Sequence, residues 1–134
     1  MDDNANPDTN RQVLQALYDA LGAGDFGAVL GYLSDDVIGH VPGTSPVAGD
    51  YVGKEAVAGY VGSLAERSGG TVRFEPRTVL VAGDRGVGLL RDLAERDGKT
   101  LAMDNVHVWR MGDGTLDEIW IYPGDQYAWD EFWS

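Results

Sequence analysis

Two histidines, His40 and His107, carry the side chains best suited to proton transfer near neutral pH, and both lie inside apolar runs that read as strands. In the stretch Thr100–Met111, the alternation Leu101, Met103, Asn105, His107, Trp109, Met111 puts Asn105 and His107 on one otherwise apolar face. If that face lines a cavity, His107 contacts a ligand or acts as acid or base. The alternative is a buried, hydrogen-bonded histidine with no chemical role. His40, beside Pro42-Gly43, has the same pair of readings at a pocket rim. Tyr18 and Tyr60 fall on helix faces expected to meet the sheet, where a tyrosine hydroxyl bonds either a ligand or a core partner. The candidate catalytic residues are therefore His107 and His40, and the candidate ligand contacts Tyr18, Tyr60, Asn105 and Trp109.

Asp92 and Asp104 are acids within strand patterns, on alternating faces. Asp104 shares its face with Val106, Val108 and Arg110, an outer or dimer face, where a cross-strand ion pair with Arg91 or Arg110 accounts for it. Other chemistries lack their residues. With no cysteine there is no disulfide framework, thiolate metal site or cysteine nucleophile. Two widely separated histidines make no metal-ligand set, so neither metal nor cofactor is expected. No phosphate-binding glycine loop follows a strand, and no Gly-x-Ser-x-Gly elbow occurs.

Positioning these residues falls to a simple series of elements. Residues 1–8 read as a polar, flexible tail ahead of a single domain over residues 9–134. Thr9 or Asn10 caps a helix with Val13, Leu14, Leu17, Tyr18 and Leu21 on one face, stopped by Gly22 and Gly24. Asp25 caps a shorter helix with Phe26, Val29, Leu30 and Leu33 as its apolar stripe. A short strand, Val37 to Val41, and a small extended arm, Val47 to Tyr51, precede a third helix carrying Ala56, Val57, Tyr60, Val61 and Leu64. The period then changes. Thr71–Val81, Val87–Glu95, Thr100–Met111 and Leu116–Tyr122 alternate, separated by Gly83-Asp84, Asp97-Gly98 and Gly112-Asp113-Gly114, which predicts a four-stranded antiparallel meander. Asp125 to Trp133 closes as a helical turn or irregular tail; Trp109, Trp120, Tyr122, Tyr127, Trp129 and Trp133 make the C-terminal half aromatic-rich, a surface that either stacks on a flat polycyclic ligand or covers the sheet or a dimer interface. Helices first and a meander after predict an α+β fold: a cone-shaped barrel, three N-terminal helices packed on a curved, mostly antiparallel sheet. A homodimer would cover the other face, with Trp120 in the interface.

The chain has 134 residues, 43% of them hydrophobic and 24% charged, which suits one folded domain. Ten basic residues against 22 acidic ones give a formal charge of −12. That surface repels phosphate backbones and anionic lipid, so neither nucleic acid nor a membrane is expected as a partner. No apolar run is long enough to span a bilayer, and residues 1–8 lack the basic start and apolar core of a signal peptide. A cytoplasmic location is the resulting expectation.

Several short stretches resemble the SnoaL-like and ketosteroid-isomerase-like proteins of the nuclear transport factor 2-like superfamily. They are Ala23-Gly24-Asp25-Phe26, Leu33-Ser34-Asp35-Asp36-Val37, His40-Val41-Pro42-Gly43, Tyr51-Val52-Gly53-Lys54-Glu55-Ala56-Val57, and the closing pair Val106–Arg110 and Leu116–Trp120. The resemblance implies a cone with a buried pocket, often dimeric, but not one function, since the fold hosts isomerases, cyclases, dehydratases, epoxide hydrolases and binding proteins. Ketosteroid isomerases place an aspartate base just before the first strand's proline, where this chain has Val41; their oxyanion tyrosine position falls on Leu17. Cyclases of the SnoaL type pair a histidine, matched by His107, with an aspartate after a tryptophan, where Ile121 follows Trp120. No Asp–Arg–Asp trio of the epoxide-hydrolase kind is assignable. The resemblance implies cofactor-free acid–base chemistry on an apolar, polyketide- or steroid-like molecule. The alternative, favoured by the missing acids at Val41 and Ile121, is a non-enzymatic ligand-binding or dimeric accessory protein.

Overall fold

The computed structural model describes residues 7–112 and 114–134. Most of the expected tail and Asp113 of the last turn lie outside the described residues, whereas Pro7 and Asp8, expected in the tail, already belong to the first helix. In chain order the elements are α1 (Pro7–Gly22), α2 (Phe26–Gly31), β1 (Leu33–Val41), β2 (Gly49–Val52), α3 (Lys54–Arg67), β3 (Arg73–Ala82), β4 (Arg85–Arg96), β5 (Lys99–Met111), β6 (Leu116–Pro123) and α4 (Gln126–Trp133).

Local signals set most of these boundaries. The Asp25 carboxylate caps α2 by accepting from the Ala28 N–H at 3.1 Å, and Asp125 caps α4 in the same way at Ala128. Asp97 and Gly98 both take positive φ, 51° and 77°, between the paired residues Arg96 and Lys99. This is the two-residue turn whose twist matches that of the flanking strands. One boundary differs from expectation. Leu33 starts β1 instead of ending α2, because the strand begins four residues early and carries a register shift between Leu33 and Ile38.

The sheet order is β2-β1-β6-β5-β4-β3. Strands β3 to β6 form the expected antiparallel meander, and β1 joins it alongside β6 in parallel. The sheet curls but does not close. Helix α1 lies against β3 and β4, α3 against β1 and β2, and α4 against β5 and β6. The closing segment is thus a helix, and three of its aromatics serve packing: Trp129, Phe132 and Trp133 are buried in the core, whereas Tyr127 is exposed. Arg96 fastens its end by donating to the Phe132 and Ser134 carbonyls.

Inward-facing residues alternate strictly along the two longest strands, β5 and β4. On β5 they are Leu101, Met103, Asn105, His107, Trp109 and Met111; on β4 they are Gly86, Gly88, Leu90, Asp92 and Ala94. The glycines let α1 approach. A Cβ on Gly88 would overlap the Tyr18 ring, so only glycine leaves room for a phenol wedged between α1 and the sheet. His107 pairs with Gly88 across the ladder, so that wedge sets Tyr18 beside His107.

Candidate functional site

A cavity of about 80 Å³ lies between the sheet and helices α1, α2 and α3. Most of its lining is aliphatic: Leu17 and Leu21 from α1, Val57 and Leu64 from α3, Val41 from β1, Ile119 and Ile121 from β6. Four chemically capable side chains line it from separate elements: Tyr51 from β2, Tyr60 from α3, Asp92 from β4 and His107 from β5, with the Trp109 ring beside them. The Tyr51 hydroxyl is already engaged, donating to the Val47 carbonyl at 2.7 Å. On this scale a water needs roughly 10–15 Å³, so the space holds several water-sized groups. A small ring compound suits it better than the polycyclic end of the sequence-based expectation.

Asp92 is 3% exposed. Its Oδ2 accepts from Asn105 Nδ2 at 3.0 Å, and Asn105 Oδ1 in turn accepts from the Gly124 N–H at 3.0 Å. A backbone N–H can only donate, so this contact fixes which way the Asn105 amide points. Asp92 Oδ1 has no hydrogen-bond partner among the described residues. Loss of water disfavours the charged carboxylate and pushes its pKa up to about 7, with the Asn105 bond opposing the rise.

His107 is 7% exposed and faces the cavity. Its Nδ1 lies 2.7 Å from the Tyr18 hydroxyl, which also accepts from the Trp109 indole N–H at 2.9 Å. Burial without a charged partner pulls the His107 pKa down to about 4, so the ring is neutral at physiological pH. Tyr18 is fully buried behind His107, and burial raises its pKa above the ordinary value. The Tyr60 hydroxyl makes no hydrogen bond among the described residues, and burial raises its pKa in the same way.

The six residues singled out from the sequence divide in three ways. His107, Trp109 and Tyr60 line the cavity. Tyr18 and Asn105 stand behind it, each bonded to a side chain that does line it. His40 does not reach it, which corrects the expectation of a rim histidine. Its neighbours in sequence, Gly39 and Val41, face inward, so strand alternation turns His40 to the outer face. There its Nδ1 and Nε2 meet Asp50 at 2.8 Å and Glu118 at 2.5 Å, and its ring stacks on Trp120. Both nitrogens then act as donors, and the bonds to Glu118 and Asp50 raise the His40 pKa.

Asp92 is the residue that sequence reasoning did not assign to the site. The signal was parity. The expected ion pair forms, Arg91 to Asp104 at 3.0 Å, on the outer face. A strand that points Arg91 outward must point Asp92 inward.

The SnoaL-like domain model matches residues 14–119. The chain belongs to the SnoaL-like family. Among solved structures it is similar to Bal32a, from a soil-derived mobile gene cassette, at 32% identity and a TM-score of 0.89, covering 96% of this chain and 98% of that one. TerC, co-crystallised with polyporic acid, matches at 24% identity and a TM-score of 0.80, covering 92% and 97% of the two chains. A putative SnoaL-like polyketide cyclase from Jannaschia sp. CCS1 matches at 18% identity and a TM-score of 0.77, covering 96% and 93%. Among curated proteins no match is found. In this SnoaL-like chain Leu17, Val41 and Ile121, the positions where the resemblance implies acid–base groups, all line the cavity as apolar side chains. The acidic side chains implied at Val41 and Ile121 are thus absent, while His107, the matched histidine, does line the cavity.

The two histidines should titrate on opposite sides of the ordinary value of 6.5. Followed by NMR, His40 should change protonation above 6.5 and His107 at about 4. Because its folded pKa is raised, His40 should contribute stability that is full below 6.5 and fades as pH rises through its folded value. Titration of His107 together with His40 would contradict its burial.

Proposed function

We propose that this protein is a cofactor-free acid–base catalyst acting on a small, mostly apolar, uncharged molecule, with Asp92 moving the proton and His107 holding the substrate's polar atom. One observation carries the reading: Asp92 Oδ1 has no hydrogen-bond partner among the described residues, on a carboxyl whose pKa is pushed up to about 7 inside an apolar cavity. A carboxyl with that pKa exchanges a proton readily in both directions at neutral pH, which an ordinary surface aspartate does not. His107 and Tyr60 enter the same cavity and supply polar contacts for an oxygen on the substrate. A charged substrate would have to shed its hydration into an aliphatic wall, which favours a neutral one. The family resemblance supports the same class of chemistry.

The second reading is a binding protein that performs no chemistry. The apolar side chains at Val41 and Ile121, where the resemblance implies acids, favour it.

Deuterium exchange separates the two. Small cyclic ketones in D2O should exchange their α-protons above the buffer rate when the protein is added. The rate should rise with pH through about 7 as Asp92 ionises, and D92N should lower it by about 100-fold or more. Binding without any exchange across the panel would leave the binding reading in place and refute the catalytic one.

A homodimer is part of the same proposal. Val106, Val108 and Trp120 are half-buried and Tyr122 is 52% exposed on the outer sheet face, an apolar surface suited to a second copy. Light scattering at micromolar concentration should give twice 14.4 kDa, and a monomer would refute it.

A further inference from the structure

We infer that Trp109, acting through Tyr18, is a positioning residue that holds His107 as its Nε2–H tautomer, so that the cavity presents a fixed donor and selects a ligand with an oxygen acceptor. The inference rests on reading the cavity as a ligand site, but its first half does not require a ligand to be known.

The chain of reasoning starts at the one group that has no choice. An indole N–H donates and cannot accept, so the Tyr18 oxygen must accept from Trp109. Tyr18 is fully buried, and its single hydroxyl proton has His107 Nδ1, 2.7 Å away, as its hydrogen-bond partner among the described residues. That proton therefore goes to Nδ1, which accepts. A neutral imidazole that accepts at Nδ1 carries its hydrogen on Nε2. Nε2 forms no hydrogen bond among the described residues and belongs to a ring that lines the cavity. Of the other polar groups of the cavity, Tyr51 gives its hydroxyl proton to the Val47 carbonyl and offers no donor; the remaining two are not fixed in this sense. The Tyr60 hydroxyl rotates and either donates or accepts, and Asp92 Oδ1 does either according to its protonation. Among the described residues His107 is the one donor of the cavity whose polarity is set in advance. A carbonyl or ether oxygen satisfies it; a group that can only donate, such as an ammonium, leaves two donors facing each other in an apolar wall.

The test is the tautomer itself. With ¹⁵N-labelled histidine and long-range proton–nitrogen correlation at neutral pH, the free protein should show protonated Nε2 and bare Nδ1, in an excess of about tenfold, the ratio one hydrogen bond supports. In W109F the Tyr18 hydroxyl loses its donor and is free to accept from Nδ1–H, so the ratio should fall severalfold toward unity. Y18F, which differs from the native chain by one oxygen atom, should do the same, and it serves if W109F does not fold. An Nδ1–H form in the native protein, or a ratio unmoved in both variants, overturns the inference. For the selection, cyclohexanone should shift the His107 Nε2 resonance and methylenecyclohexane, of the same shape without the oxygen, should not. Equal effects, or no effect of the ketone, overturn the selectivity. Loss of deuterium exchange with an intact tautomer would count against the catalytic reading alone.

Discussion

A carboxyl group held away from water is the constraint on which the site depends. Asp92 occupies an inward position on β4 because Arg91 and Asp104 pair on the outer face of the same ladder. Burial raises its pKa from 3.8 to about 7. At about 1.4 kcal/mol for each of those units, keeping it ionised at alkaline pH costs the fold on the order of 4 kcal/mol. The sign follows from proton binding: between 3.8 and about 7 the folded chain holds a proton that the unfolded chain has lost, so stability falls as pH rises across that window. A cost of this size is a large fraction of a small domain's stability. Deleting the carboxyl would remove the cost, which is the reason to look for a function rather than a packing role in this residue.

Two hydrogen-bond chains hold Asp92 and His107, and each begins at a group that can only donate. The Gly124 N–H orients Asn105, and Asn105 takes up Oδ2 of Asp92, leaving Oδ1 without a hydrogen-bond partner among the described residues. The Trp109 N–H orients Tyr18, and Tyr18 takes up Nδ1 of His107. Both chains run through inward positions of β5, so one strand carries Asn105, His107 and Trp109 at alternate residues. Close packing makes this possible. A Cβ on Gly124 would overlap the Asp104 carbonyl, as one on Gly88 would overlap Tyr18.

Much of this was legible in the sequence. Periodicity showed the helices and the meander, and turn residues placed the hairpins, because these are local properties of the chain. The alternation of β5 located His107, Asn105 and Trp109 on the cavity side. Parallel pairing of β1 with β6 was not legible, since no local signal marks a contact between segments so far apart. His40 was misplaced for a related reason. The stretch read as its strand, Val37 to Val41, is short and carries apolar residues on both faces, so only knowledge of which neighbours face inward fixes its direction. Asp92 was within reach, because the ion pair assigned to Asp104 and Arg91 already implied its orientation. Its burial, which gives it chemistry, came only with the packed helices.

The protonation of Asp92 is open to direct measurement. Carbon-detected NMR of the side-chain carboxyl, assigned by its loss in D92N and followed from acid to alkaline pH, reports when this group ionises. A midpoint at about 7 is predicted. A midpoint near the ordinary aspartate value of about 4 would mean a hydrated carboxylate, and neither its burial nor the proton transfer proposed on it would stand.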